Sequence, residues 1–222
     1  MSSPSALPPL SSTDRTRLVR HSERAETDRA ALHAVIDEAL VGHLALVVDG
    51  VPRILPFVPW RVGDEVFIHG HLKNSLMVAA AEGAQACMTI TLLDGLVMAR
   101  SAFHHSANFR SAVIYGTPRL VSDADEKAIL LHQMMVKVTP DRANAVRPAN
   151  SRELNATAVL GLSLAEASLK VRTGGPIDAE ADYGLPVWAG VVPLTLTAGI
   201  PLTDTNTAPP GPSGYYTNGL NH

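Results

Sequence analysis

The stretch DGLVMARSAFHHSANFRS, residues 94–111, places two histidines, two arginines and three serines between apolar segments. A polar group that is buried without a partner costs roughly 2–7 kcal/mol. A strand-like segment with this many polar side chains is therefore poorly suited to a hydrophobic core. We expect it to line a solvated or ligand-filled groove.

The composition is that of a globular chain that fits one domain: 222 residues, 46% hydrophobic and 18% charged. A net charge of −3 gives no electrostatic reason to expect a nucleic-acid or anionic membrane partner. The single cysteine, Cys87, excludes an internal disulfide and a multi-thiolate metal site. Neither a signal peptide nor an apolar run of about 18 residues is evident, so we expect a cytoplasmic protein.

Composition also divides the chain into three parts. Residues 1–25 are polar, with alternating charges, and are predicted to be an N-terminal tail or an arm. Residues 26–200 form the predicted domain. Residues 201–222 are rich in Pro, Gly, Thr and Asn and are predicted to be a flexible C-terminal tail.

The first half of the domain is predicted as one helix and a β meander. The helix covers residues 28–40, with Thr27 as its cap and Gly42 as its stop. Asp49-Gly50 and Gly63-Asp64 favour tight hairpin turns. The strands joined by these turns are Leu44–Val48, Arg53–Trp60 and Glu65–His69.

The second half is predicted to continue the antiparallel pattern. Asp94-Gly95 is expected to turn a hairpin, and Ser122 is expected to cap a long helix that ends before Thr139-Pro140-Asp141. The predicted strands are 86–93, 96–103, 111–121, 157–164 and 168–173, of which the first two and the last two pair with each other. About seven strands and two or three helices predict a mainly β protein with flanking helices, arranged as an antiparallel barrel.

Four segments in this order resemble the flavin-nucleotide-binding branch of the pyridoxamine 5′-phosphate oxidase-like family. They are residues 94–111, His69-Gly70, Lys170–Gly174 and Val187–Leu194. The resemblance covers about residues 20–200. It implies a split β-barrel that forms a homodimer and binds two FMN molecules in clefts between the subunits.

The segment His69–Ser75 is predicted to bind the FMN phosphate. It offers backbone amides, the Lys73 ammonium and the Ser75 hydroxyl at the start of a short helix, which is anion-binding chemistry. An ordinary loop capped by Asn74 or Ser75 is the alternative. Related proteins usually have an arginine where this chain has Leu76, so Lys73 or Arg53 is expected to supply the charge.

The resemblance implies further contacts with the cofactor. The proline-containing strand that starts at Arg53 is expected to make few ladder bonds, and it would run beneath the flavin ring. Arg100 and Ser101 would lie near the pyrimidine edge of the ring, where positive charge favours reduced flavin. Trp188 would pack beside the cofactor or across the dimer interface. The alternative for the Arg53 strand is an irregular edge strand without a ligand. The alternatives for Arg100 and Trp188 are a surface ion pair and a core residue, respectively. The predicted cofactor-binding residues are Arg53, Leu55, Pro56, His69, Gly70, Lys73, Asn74, Ser75, Arg100, Ser101 and Trp188.

Histidines supply the candidates for a substrate cleft, because imidazole exchanges protons near neutral pH. They are His71, His104 and His105, and the last two would face opposite ways on a continuing strand. No third ligand with dependable spacing accompanies His69 and His71, so no metal site is predicted. Lys170 and Arg172 share a strand face and could meet a phosphate or a partner carboxylate, or remain in solvent.

These observations predict an FMN-dependent oxidoreductase that acts on a small planar or electron-poor substrate. Two other functions remain open. One is a flavin-binding or sensing module without turnover. The other is a haem protein, since the histidine content suits haem and some split-barrel relatives bind haem in place of flavin.

Overall fold

Two antiparallel sheets form the framework of the computed structural model, which describes residues 8–10, 12–200, 202 and 204. The strands are β1 (Ala25–Glu26), β2 (Gly42–Val48), β3 (Val51–Phe57), β4 (Trp60–Val62), β5 (Glu65–His71), β6 (Ala86–Met98), β7 (Ser106–Gly116), β8 (Arg119–Leu120), β9 (Thr157–Ser163), β10 (Ala167–Arg172) and β11 (Gly190–Pro193). The helices are α1 (Arg29–Glu38), α2 (Ser75–Ala81), α3 (Ala124–Val138) and α4 (Ser151–Ala156). The predicted mainly β class with flanking helices is confirmed.

The larger sheet has the order β1-β10-β7-β6-β2-β3, with β11 paired to the second half of β6. The smaller sheet has the order β4-β5-β9-β8. The two sheets remain open at their edges, as expected for a split β-barrel. Within the described ranges, no helix is long and apolar enough to span a membrane.

The main core lies between the two sheets and helices α1 and α2. Its fully buried side chains include Leu32, Ile36, Leu44, Leu76, Met88, Ile90, Ile114, Leu160 and Leu164. A second cluster beneath α3 contains Trp60, Phe67, Val121, Leu130 and Val159. Lys137 holds α3 in place, because its ammonium donates hydrogen bonds to the carbonyls of Ile36 at 2.7 Å and Pro59 at 2.5 Å. Burial lowers the pKa of Lys137 to about 8.

The start of α1 differs from the prediction by one residue. Asp28 is the N-cap, and its carboxylate accepts a hydrogen bond from the Ala30 amide at 2.9 Å, so the predicted Thr27 cap was wrong. Gly42 does not end the helix but opens β2. A Cβ at Gly42 would lie 3.0 Å from the Ile90 side chain, so β2 packs closely on the core at this position.

The predicted turns of the meander are confirmed, but one predicted strand is divided. Asp49 and Gly50 have φ of 52° and 76°, and Gly63 has φ of 59°, as tight turns require. The predicted strand Arg53–Trp60 is two strands in different sheets, because β3 ends at Phe57 and β4 starts at Trp60.

The predicted hairpin at Asp94-Gly95 was wrong. Strand β6 continues through this dipeptide with a register irregularity, and the connection to β7 falls after Met98. The Arg110 guanidinium explains the continuity, since it binds Asp94 at 2.7 Å and Glu38 at 2.5 Å. This network attaches the irregular part of β6 to β7 and to the end of α1.

We predict that Arg110→Gln destabilises the fold by about 1–3 kcal/mol, because two partly buried carboxylates lose their charged donor. Chemical denaturation measures the change. Arg17→Gln is the control, since Arg17 forms an exposed pair with Asp14, and its cost should stay below about 0.5 kcal/mol. Equal stability of the Arg110→Gln variant and the unmodified protein would contradict the structural role of the network.

The closing strands were also paired wrongly in the prediction. β9 lies between β5 and β8 in the smaller sheet, whereas β10 lies between β1 and β7 in the larger sheet. The chain crosses from the smaller to the larger sheet between β9 and β10. In this connection, Leu164 is buried and its amide donates a hydrogen bond to the Asp64 carbonyl. Helix α4 and strand β11 were not predicted.

Two smaller features complete the fold. The cap of α3 is Asp123 rather than Ser122, because its carboxylate accepts a hydrogen bond from the Glu126 amide at 2.7 Å. The helix ends at Val138, with Thr139 as its C-cap, as predicted. Residues of the predicted N-terminal arm lie against the domain, where Arg15 pairs with Glu166.

Candidate functional site

A cavity of about 480 Å³ lies between α3, α4, the 139–150 connection and strand β5, and we call it the α3 cavity. Its volume is in the range typical of ligand pockets. Most of its wall is apolar. The lining residues include His69, Leu131, His132, Met134, Met135, Val146 and Leu154.

His69 is the distinctive side chain of this cavity. Its Nδ1 is buried and has no hydrogen-bond partner, and the ring lies 6.0 Å from that of Trp60. Burial lowers the pKa of His69, which favours the neutral imidazole at neutral pH. A neutral imidazole without a protein partner is a suitable metal ligand. The second histidine, His132, is engaged instead with Asn144 at 3.1 Å.

The rest of the predicted phosphate loop, residues 70–75, lies on the side of α2 and away from the α3 cavity that His69 lines. Gly70 faces α2, where a Cβ would come within 3.1 Å of the Met77 side chain. His71 is exposed, and its Nδ1 accepts a hydrogen bond from the Lys73 amide at 3.1 Å. Asn74 caps α2 by accepting a hydrogen bond from the Leu76 amide at 2.9 Å.

The positive charge beside the loop before α2 comes from Arg53 on strand β3. Nη1 of Arg53 lies 3.4 Å from the Ser75 hydroxyl, while Lys73 is exposed. Leu76 is buried in the core and has no polar role at the loop. Of the two cations that the sequence offered, the structure brings Arg53 to the loop serine.

Leu55 and Pro56 lie on β3, an edge strand that pairs only with β2. Both residues are exposed. One long side of β3 therefore has no strand partner among the described residues, and its backbone groups there are available to a ligand.

Arg100 and Ser101 lie in the connection between β6 and β7 and are held by a residue that sequence analysis missed. Asp178 accepts hydrogen bonds from the Arg100 amide at 2.9 Å and from Nη1 of Arg100 at 3.1 Å. The Ser101 hydroxyl and Nε of Arg100 are buried without partners. No motif in the sequence marks Asp178, because its role depends on a contact 78 residues away along the chain.

His104 and His105 occupy a short turn rather than a strand, so the predicted alternation of their faces was wrong. His105 Nδ1 lies 2.9 Å from the Ser101 carbonyl oxygen, and the ring of His104 packs edge-on against Phe103. The turn presents Phe103 to solvent, 90% exposed. The two histidines therefore belong to the same connection as Arg100.

Trp188 precedes β11 and is 65% exposed, so the alternative of a core residue was wrong. Arg172 is buried and binds Asn108 and the carbonyls of Gly174 and Gly175 within its own chain, so the alternative of a solvent-exposed arginine was wrong. The Lys170 ammonium lies 3.4 Å from the Arg20 carbonyl oxygen.

The described part of the chain contains no cluster of three or more His, Cys, Asp or Glu residues suited to a metal ion.

Comparison with known proteins places the chain in a family. Residues 28–171 match the pyridoxamine 5′-phosphate oxidase family. A flavocytochrome from Azotobacter vinelandii is 39% identical, with a TM-score of 0.85, over 91% of this chain and 94% of its own. An FAD and haem binding protein from Mycobacterium smegmatis is 38% identical, with a TM-score of 0.81, over 86% of this chain and 94% of its own.

A more distant structure from Bacteroides thetaiotaomicron is 18% identical, with a TM-score of 0.56 over 66% of this chain and 86% of its own, and supports the fold alone. No curated protein sequence matches this chain. The family match covers more than half of the chain, and it includes β5 and the β6–β7 connection but neither Asp178 nor Trp188. The chain belongs to the pyridoxamine 5′-phosphate oxidase family.

Proposed function

We propose that this protein binds a flavin and a haem in separate sites and acts as a redox protein of the flavocytochrome type. Two relatives support the pairing of cofactors, since one is described as a flavocytochrome and the other as an FAD and haem binding protein. The carrying observation is His69, whose ring lines the α3 cavity and whose buried Nδ1 has no hydrogen-bond partner.

The α3 cavity fits a haem in its chemistry. Histidine is a common axial ligand of haem iron, and the lowered pKa of His69 favours the neutral imidazole, in which one ring nitrogen carries no proton and can bind iron. Leu131, Met134, Met135 and Leu154 provide apolar walls for a porphyrin. A haem in this cavity would supply one-electron or oxygen chemistry.

The flavin is assigned to a cleft that β3 and the loop before α2 of one copy would form with the β6–β7 connection of a second copy. Arg53 and Ser75 offer a cation and a hydroxyl to a phosphate, and Arg100 offers positive charge to the polar edge of the ring. FAD is supported by the relative described as an FAD-binding protein, whereas the sequence resemblance predicts FMN.

A second copy of the chain is proposed to complete the flavin cleft. Apolar side chains are exposed both on β3 and around the β6–β7 connection, and a second copy would cover them. They are Ile54, Leu55, Phe103, Trp188 and Val192. We therefore retain the homodimer as part of the proposal.

The test is the cofactor content of the purified protein, grown with a haem precursor and iron. We expect a Soret band together with flavin absorption, and mass spectrometry of the released flavin distinguishes FAD from FMN. Protein that contains neither cofactor, and takes up neither hemin nor flavin when these are added, contradicts the proposal.

The catalytic part of the proposal is oxidation of a reduced nicotinamide donor with transfer of electrons to a small planar or electron-poor acceptor. His71, His104 and His105 remain the candidate proton donors for that step. Steady turnover of NADH or NADPH with a panel of acceptors supports an enzyme. Flavin binding without turnover favours the flavin-binding or sensing module.

A further inference from the structure

Asp178 lies on the segment that follows β10 and crosses the β6–β7 connection. Its carboxylate is completely shielded from solvent and accepts hydrogen bonds from the amide and the guanidinium of Arg100, with the backbone of Ser101 close by. These bonds fix both the backbone and the side chain of Arg100. We call Asp178, Arg100 and Ser101 the Asp178 clamp.

The Asp178 clamp holds Arg100 at the surface rather than sealing it inside the protein. The Arg100 side chain is 24% exposed, and its guanidinium carbon lies 5.2 Å from the centre of the Tyr183 ring. Nε of Arg100 and the Ser101 hydroxyl are buried without partners. Leaving such a buried polar group without a hydrogen bond costs about 1–3 kcal/mol of folding free energy. A purely structural role of the ion pair does not explain this cost.

The charge of Asp178 is fixed by its neighbours. Burial alone would raise the pKa of Asp178, but the hydrogen bonds from Arg100 and Ser101 outweigh it, so the pKa lies below the ordinary value. Asp178 is thus a carboxylate at neutral pH, and it balances the positive charge of Arg100.

We propose that Asp178 is a positioning residue of the flavin site, which orients Arg100 toward the flavin and limits the positive charge that the ring experiences. This inference rests on the proposed function, specifically on flavin binding beside Arg100. Positive charge near the ring stabilises reduced, anionic flavin. Asp178 therefore sets the balance between the affinities for oxidised and reduced flavin.

The test compares Asp178→Asn with Glu180→Gln. Glu180 lies two residues away on the same segment, is exposed and forms no side-chain bond with the described residues, so its variant removes the same charge without touching Arg100. Dissociation constants for oxidised and reduced flavin are measured anaerobically for each variant, and the flavin potential is measured in parallel.

Asp178→Asn is expected to shift the ratio of the two constants about tenfold toward reduced flavin, which corresponds to a potential about 30 mV more positive for two electrons. Glu180→Gln should leave the ratio unchanged. Asp178→Ser, which removes the charge with a smaller side chain, should reproduce the shift and replaces Asp178→Asn if that variant does not fold.

The possible failures are distinguishable. Unmodified protein that binds no flavin contradicts the proposed function itself. A protein that binds flavin, but whose ratio is the same before and after Asp178 is replaced, contradicts the positioning role alone. Equal weakening of both flavin forms also contradicts it, because a structural role moves both constants together.

Discussion

Replacement of His69 by alanine is expected to abolish the haem absorption of the purified protein and to weaken hemin binding at least 100-fold. The reason is the loss of the one histidine, among the described residues that line the α3 cavity, whose ring has a buried nitrogen without a partner. Even outer partners of metal ligands typically change affinity 10–100-fold, and loss of the ligand itself should cost more. Hemin titration followed at the Soret band measures the effect.

Two other histidines provide matched controls for this variant. His132 lines the same cavity but is engaged with Asn144, and His71 is exposed at the end of the same strand, β5. His132→Gln and His71→Gln should each change hemin affinity by only a few fold. A normal Soret band in folded His69→Ala protein, or its loss in either control variant, would show that the assignment is wrong.

Replacement of Arg53 by glutamine is expected to weaken flavin binding about 10–100-fold. The physical reason is the loss of a charged hydrogen-bond donor to the phosphate, which is worth about 1.5–3 kcal/mol. Fluorescence quenching of added FAD and FMN measures the affinity for each flavin. Riboflavin, which has no phosphate, should bind the Arg53→Gln variant and the unmodified protein about equally.

Lys73→Gln removes the same charge from the same surface and separates the two cations that the sequence offered. Lys73 is exposed and its ammonium contacts no described residue, so its loss should cost no more than about threefold. Arg152→Gln, an exposed change on α4, should have no effect. A larger loss from Lys73→Gln than from Arg53→Gln would contradict the arrangement at Ser75.

Local signals were sufficient for the parts of the fold that depend on neighbouring residues. Asp49-Gly50 forms the predicted turn because both residues adopt positive φ with nothing to oppose them. Asp94-Gly95 carries the same signal but lies inside a strand. There the ion pairs of Arg110 with Asp94 and Glu38 outweigh the turn propensity. Asp94 and Glu38 lie 16 and 72 positions from Arg110 along the chain, so no local signal reveals these pairs.

The candidate site shows the same division between local and distant effects. The sequence predicted a cap at Asn74 or Ser75 before a short helix, and Asn74 is the cap, since this feature depends on the first turn of α2. It grouped His69 with that loop, although alternation along β5 turns His69 toward α3 and Gly70 toward α2. The α3 cavity and the Asp178 clamp depend on packing between distant segments, which no single motif encodes.

The location of the iron in a crystal of the haem-loaded protein shows whether His69 is the haem ligand. Anomalous diffraction at the iron edge identifies the atom without reference to the surrounding density. We expect one iron per chain, bound to a ring nitrogen of His69 inside the α3 cavity. Iron bound to any other histidine, or haem seated at the β3 surface assigned to the flavin, would contradict it.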